Sequence, residues 1–94
     1  MITEVAILKI DPAEAVKFER TYNEVVHILR RQPGYQSDKL MRAIEYPEQY
    51  ILSVEWGSVQ DHLRFIDAPD YPELDGALGA FVKDVSFAHY TSIE

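Results

Sequence analysis

A tryptophan and a histidine six residues apart are the side chains of this sequence best suited to form a reactive pocket. Trp56 ends the apolar run of residues 50–56, and His62 follows after Gly57 and Ser58. A histidine can act as a base near neutral pH, and a tryptophan beside it supplies an apolar wall. Both residues also fit a structural role, because a strand-end tryptophan usually anchors a core and a helix-edge histidine is usually a hydrogen-bonded interior or rim residue.

No second constellation of reactive residues stands out. His27, His62 and His89 fall on different predicted elements without the short spacing of a metal-ligand pair, so no metal site is predicted. The chain has no cysteine, which excludes disulfides, thiol catalysis and zinc–thiolate sites. No glycine-rich loop follows a strand, so nucleotide or flavin binding by the usual fingerprints is not expected. The predicted site therefore uses no cofactor.

Composition narrows the class of partner and the compartment. Nine basic against 16 acidic residues give a net charge of −7, which disfavours nucleic acid and anionic membranes as partners. No stretch approaches the roughly 18 apolar residues of a membrane span, and no signal-peptide pattern opens the chain. With 94 residues, of which 47% are apolar, we expect one globular domain over residues 1–94 in the cytoplasm.

The elements that position Trp56 and His62 follow from apolar periodicity. Asp11, Ser58 and Asp70 each fit a helix N-cap, and Asp61 fits the reciprocal position of a capping box with Ser58. Alternating or helically spaced apolar residues predict, in order, a strand over 3–10, a helix from 11 to about 32, strands over 35–46 and 50–56, helical turns from 58 and again from 70, and a strand over 82–90.

The order strand, helix, strand, strand, helix, strand predicts an α+β fold, a ferredoxin-like βαββαβ unit with a four-stranded antiparallel sheet and its helices on one face. The strands carry apolar residues on both faces, but the chain has no second helical layer to cover the other face. A second copy of the same sheet is the simplest cover, which predicts a homodimer.

With this order of elements, the sequence resembles the antibiotic biosynthesis monooxygenase family of the dimeric α+β barrel superfamily. The resemblance spans nearly the whole chain. It is carried by the element order, by Pro33-Gly34-Tyr35 after the long helix, by the strand ending in Trp56, and by residues 58–66 and 68–71. Haem-degrading members pair a later helix histidine with a first-strand asparagine, and since this sequence has neither, haem degradation is not expected.

The resemblance implies a cofactor-independent monooxygenase acting on a small phenol or quinol. On that interpretation His62 is the base, Trp56 and Tyr22 form aromatic walls, and Tyr71 or His89 donates a hydrogen bond. The expected catalytic residues are His62, Trp56 and Tyr71, and the expected substrate-binding residues are Tyr22, Asn23, Phe65 and His89.

Two other functions remain open at this point. The alternative is a non-catalytic homodimer of the same fold that binds a small aromatic molecule or has a purely structural role. An isomerase or lyase on the same barrel is a third candidate, and turnover without O₂ would favour it. A pocket filled by Phe18, Phe65 and Phe81 would favour the non-catalytic protein.

Overall fold

One antiparallel sheet and three helices make up residues 1–94 in the computed structural model. The strands are β1 (Ile2–Ile10), β2 (Tyr35–Arg42), β3 (Gln49–Trp56) and β4 (Val82–Tyr90), paired in the order β2-β3-β1-β4. The helices are α1 (Ala15–Arg30), which follows a short 3₁₀ turn at Pro12–Glu14, then α2 (Val59–Ile66) and α3 (Tyr71–Gly79). The predicted ferredoxin-like fold is confirmed, and the helical turns predicted from 58 and again from 70 are the separate helices α2 and α3.

The core lies between the helices and one face of the sheet. Successive strand residues point to opposite faces, so every second residue of β1 and β3 turns inward. Ala6, Leu8 and Ile10 of β1 are buried there, as are Tyr50 and Val54 of β3. The apolar stripe of α1 packs against them with Phe18, Tyr22, Val26 and Leu29.

Local signals in the sequence fix where α1 begins and where β2 starts. The Asp11 carboxylate accepts a hydrogen bond from the Ala13 N–H at 3.0 Å and so caps the 3₁₀ turn that leads into α1, whereas Glu14, directly before α1, makes no side-chain cap bond. Gly34 follows the helix with φ = +87°, a backbone conformation that favours glycine. A Cβ at this position would lie 2.3 Å from Cγ of Asp61, so any side chain larger than that of glycine would collide with Asp61.

The start of α2 agrees with the predicted cap, but that of α3 does not. Ser58 Oγ accepts from the Asp61 N–H at 3.2 Å, and the Asp61 carboxylate pairs with Arg64 at 2.9 Å instead of reaching back to Ser58. The carboxylate of Asp70 makes no cap hydrogen bond to α3. It accepts from the Arg31 guanidinium at 2.8 Å and from the Gln32 amide at 3.0 Å, because the end of α1 lies beside it and offers both donors.

The second face of the sheet carries an uncovered apolar row. Ile7 of β1 is the cross-strand partner of Ile51 on β3, and Ile51 in turn pairs with Met41 on β2. Ile7 is 36% exposed and Met41 43% exposed, although both are large and apolar. None of the three helices is long and apolar enough to cross a membrane.

Candidate active site

Four polar side chains form one polar chain at the inner face of the sheet, joined by two hydrogen bonds and one longer contact. The indole Nε1–H of Trp56 donates to Glu4 Oε1 at 3.0 Å. Nε2 of His62 lies 3.3 Å from the same Glu4 oxygen, and its Nδ1 lies 2.7 Å from Nε2 of His89. His62 is therefore the link between a carboxylate on one side and a second imidazole on the other.

The sheet register and one helix turn bring these residues together. Glu4 on β1 is the cross-strand partner of His89 on β4, so the two side chains share the inner face. The cap at Ser58 starts α2 so that His62 and Phe65 both face the sheet and are buried. The ring of His62 stacks on Trp56, with centroids 5.5 Å apart and an interplanar angle of 22°.

Donors and acceptors match when Glu4 is ionised and His62 is neutral. Trp56 can only donate, so Glu4 Oε1 accepts from it. Nδ1 of His62 accepts from the Nε2–H of His89, which leaves the proton of His62 on Nε2, 3.3 Å from the same carboxylate oxygen. This assignment of protons satisfies every contact in the chain without placing a charge on His62.

Burial shifts both titratable groups toward their neutral forms. It lowers the pKa of His62 to about 4, and a charge on neighbouring His89 acts in the same direction. Burial also raises the pKa of the Glu4 carboxyl, against the hydrogen bond from Trp56, which lowers it. The nearby Glu4 carboxylate favours a charged His62, but a buried ion pair must lose its hydration, so we take burial to dominate.

An apolar cavity of about 420 Å³ opens between the sheet and the three helices beside this chain. Fourteen of its 18 lining residues are hydrophobic, and its only titratable groups besides tyrosines are Glu4, His62 and Asp75. Oε2 of Glu4 has no hydrogen-bond partner in the protein and is not occluded. The cavity therefore presents one free carboxylate oxygen, supported from behind by an imidazole and an indole.

The structure separates the predicted site residues into three groups. His62, Tyr71, Tyr22 and Phe65 line the cavity. Trp56 and His89 lie behind it, in contact with Glu4 and His62. Asn23 is exposed and lines a different, polar groove beside β2. Phe18 and Phe81 pack edge-to-face with centroids 5.9 Å apart in the core and do not fill the cavity.

Sequence reasoning missed the two carboxylate residues that line this cavity, Glu4 and Asp75. Glu4 is the one charged residue on the inward parity of β1, where Ala6, Leu8 and Ile10 follow it, and that break in an apolar face could have identified it. Asp75 lies on α3 one turn after Tyr71, whose hydroxyl donates to it at 3.3 Å. Nothing in the local sequence pattern of α3 indicates that Asp75 faces a cavity.

The polar groove beside β2 is organised around a buried carboxylate. Asp38 accepts hydrogen bonds from Tyr22 at 2.7 Å, from Arg30 at 2.8 Å and from Tyr35. Arg30 is the main reason why the pKa of Asp38 falls to about 2. Asp38 is therefore ionised and fully partnered, and it fixes the position of the Tyr22 ring that lines the apolar cavity. No three His, Cys, Asp or Glu side chains are grouped so that they could hold a metal ion.

Comparisons with known proteins place this architecture among characterised folds. A protein from Bordetella bronchiseptica that carries the antibiotic biosynthesis monooxygenase description superposes with a TM-score of 0.93 and 25% identity, covering 99% of this chain and 97% of that one. SnoaB from Streptomyces nogalater, a cofactor-independent oxygenase, superposes with a TM-score of 0.84 at 22% identity, covering 99% of this chain and 93% of SnoaB. At this identity, the likeness to SnoaB shows a common fold.

Sequence comparisons agree with these structural comparisons. The uncharacterised protein YczJ of Bacillus subtilis (strain 168) is 29% identical over 82 residues, which cover 86% of each chain. The model of the family described as antibiotic biosynthesis monooxygenase matches residues 1–74, well over half of the chain. The matched residues include Glu4, Trp56, His62 and Tyr71, so most of the polar chain and of the cavity lies within the family region. The chain belongs to the antibiotic biosynthesis monooxygenase family.

Proposed function

We propose that this protein is a cofactor-independent monooxygenase that converts a small phenol or quinol to a quinone. One observation carries the proposal: Glu4 lines an apolar cavity with Oε2 unpartnered, while Trp56 donates to Oε1 and His62 lies 3.3 Å from it. A base in a dry, aromatic-lined cavity is what this chemistry requires, because the substrate must be ionised before it can react with O₂.

The Glu4–His62 pair acts as the base. His62 was the expected base, but both of its nitrogens are engaged, one by Glu4 and one by His89. Oε2 of Glu4 is the atom that can reach a phenol O–H in the cavity. Its raised pKa makes the carboxylate a stronger base than an exposed one, and His62 orients it. His62 is thus a positioning residue with respect to the substrate.

The proposed reaction balances with O₂ as the only co-reactant. The phenol loses its proton to Glu4, and the phenolate passes one electron to O₂. The resulting radical and superoxide combine to form a C–O bond, and the peroxide takes up a proton. Loss of water breaks the O–O bond and leaves a quinone, so one oxygen atom enters the product and the other leaves as water. The ring C–H and the phenol O–H supply the two hydrogens of that water.

The remaining lining residues support this reaction physically. Tyr22, Phe65 and Tyr71 form aromatic walls on which a flat ring can pack. The hydrogen bond from Tyr22 to Asp38 and the edge-to-face contact of Phe65 with Tyr71, at 5.1 Å between centroids, hold those walls in place. An apolar lining excludes water, so the phenolate stays hydrogen-bonded to the Glu4 carboxyl that it has just protonated, and Glu4 carries no charge while the anion is present.

Oxygen uptake with a dihydroxynaphthalene tests this proposal. We expect one O₂ consumed for each hydroxynaphthoquinone formed, and one labelled atom in the quinone when isotope-labelled O₂ is supplied. Conversion of the compound under argon would instead favour an isomerase or lyase. Tight binding without any O₂ consumption would favour the non-catalytic binding protein.

We also propose that two copies of the chain pair through the uncovered face of the sheet. The row of Ile7, Ile51 and Met41 gives that face the apolar surface that such an interface needs. A second sheet packed on this row would bury it, while the cavity on the opposite face stays within each chain.

A further inference from the structure

The charges that line the cavity are all of one sign. Glu4 lies at the wall formed by β1, and Asp75 lies on α3, where its side chain is more exposed and marks the mouth of the cavity. No lysine or arginine is among the 18 lining residues. The third polar group, His62, is neutral near physiological pH because burial lowers its pKa to about 4. A ligand in this cavity therefore meets two carboxylates and no cation.

We propose that Asp75 and Glu4 make the cavity selective for uncharged hydroxyaromatic compounds and exclude those that carry a carboxylate. The inference rests on the proposed function for the hydroxyaromatic class, and it adds which members of that class are accepted. A carboxylated ring would lose its hydration on entering the apolar cavity and would find no positive partner there. It would also be repelled by the two carboxylates, and repulsion is stronger where water is excluded.

None of the nine basic residues lines this cavity, and three of the arginines are paired with carboxylates elsewhere. Arg30 pairs with Asp38 in the polar groove, Arg31 with Asp70 at the end of α1, and Arg64 with Asp61. Asp75, in contrast, has only the Tyr71 hydroxyl as its partner, at 3.3 Å. Its negative charge at the mouth is therefore not neutralised within the chain.

Calorimetric titration of two matched compounds without oxygen tests this selectivity apart from turnover. The probes are dihydroxynaphthalene and the dihydroxynaphthoate that carries one carboxylate on the same ring system. For the wild-type chain we expect the carboxylated probe to bind at least about tenfold more weakly. In Asp75→Asn that ratio should fall by about three- to tenfold, through better binding of dihydroxynaphthoate alone. The amide oxygen still accepts from Tyr71, so this exposed substitution preserves the local contact.

Glu24→Gln is the control, because Glu24 is exposed on α1 and lies neither in the cavity lining nor on the uncovered face of the sheet. It removes one negative charge from the chain, as Asp75→Asn does, and should leave the ratio of the two probe affinities unchanged. The comparison therefore separates the local effect of Asp75 from an effect of net charge. Equal affinity of the two probes for the wild type, or a ratio that Asp75→Asn leaves unchanged, overturns the selectivity proposal alone. Binding of neither probe overturns it together with the proposed function, whereas selective binding without oxygen consumption overturns the oxygenase and leaves the selectivity standing.

Discussion

Glu4 and His89 lie directly opposite each other across the β1–β4 ladder, and His62 of α2 bridges their side chains. The pair comes from the two ends of the chain, and the bridging histidine comes from the middle. The folded sheet is thus needed to assemble the group, and its register sets which residues face the cavity. This relationship makes Glu4 the most informative position to change.

Glu4→Gln should abolish most of the oxygen-dependent turnover while leaving the chain folded. The amide still accepts from Trp56, but it cannot take a proton, and loss of a positioned base typically costs about 10²–10⁴ in rate. Initial rates of O₂ uptake with dihydroxynaphthalene measure the effect. Glu24→Gln is the matched control, since Glu24 is exposed on α1, outside the cavity lining and away from the sheet face proposed to pair. Full activity of Glu4→Gln would remove Glu4 from the mechanism.

The buried His62 should make the protein lose stability in mild acid. Its folded pKa of about 4 lies below the ordinary value of 6.5, so the unfolded chain binds a proton first as the pH falls. The stability that depends on neutral His62 is complete above pH 6.5 and is lost progressively between 6.5 and about 4. The loss reaches at most about 3 kcal/mol, and the raised pKa of Glu4 offsets part of it.

Urea unfolding at several pH values checks this expectation. His62→Asn lacks the titrating ring, so its free energy of unfolding should fall less steeply over the same range. His27→Asn is the control, because His27 is exposed on α1 and contacts only the Glu24 carbonyl, at 3.0 Å. Parallel pH dependences for the wild type and His62→Asn would contradict a neutral buried histidine.

Glycines at two positions should respond in opposite directions to alanine. Gly34→Ala should destabilise the fold by at least about 2 kcal/mol, because a positive φ is strained for alanine and the new Cβ meets Asp61. Gly76→Ala should stabilise it by about 0.5–1 kcal/mol, because Gly76 lies within α3 and a Cβ there meets nothing within 4 Å. Thermal unfolding followed by circular dichroism measures both, and an equal response would contradict the close packing of Gly34 on α2.

Local patterns were enough to predict the fold but not all of the site. Caps such as Asp11 and Ser58 act through neighbouring residues, so the sequence reveals them directly. His62 was predicted near Trp56 because it lies at the edge of the apolar stripe of its helix, whereas Tyr71 was assigned to the site through the family resemblance. Glu4 was missed because its importance depends on His89, a residue at the other end of the chain that only the ladder register brings close. The role of Asp70 was missed for the same reason, since Arg31 lies far from it in sequence.

The uncovered face of the sheet gives the last prediction, which concerns assembly. We expect the wild-type chain to sediment as a dimer of 10.8 kDa subunits, because a second sheet is the simplest cover for the row of Ile7, Ile51 and Met41. Ile7→Asp should convert it to a monomer, since a carboxylate buried in an apolar interface without a partner costs several kcal/mol. Ile7 is 36% exposed in the single chain, so the substitution should leave the fold of the subunit intact.

Val16→Asp, on the exposed side of α1 at 70% exposure, introduces the same charge away from the sheet and should remain dimeric. A wild-type chain that sediments as a monomer at micromolar concentration would rule out pairing through this face, and a dimeric Ile7→Asp would place the interface elsewhere.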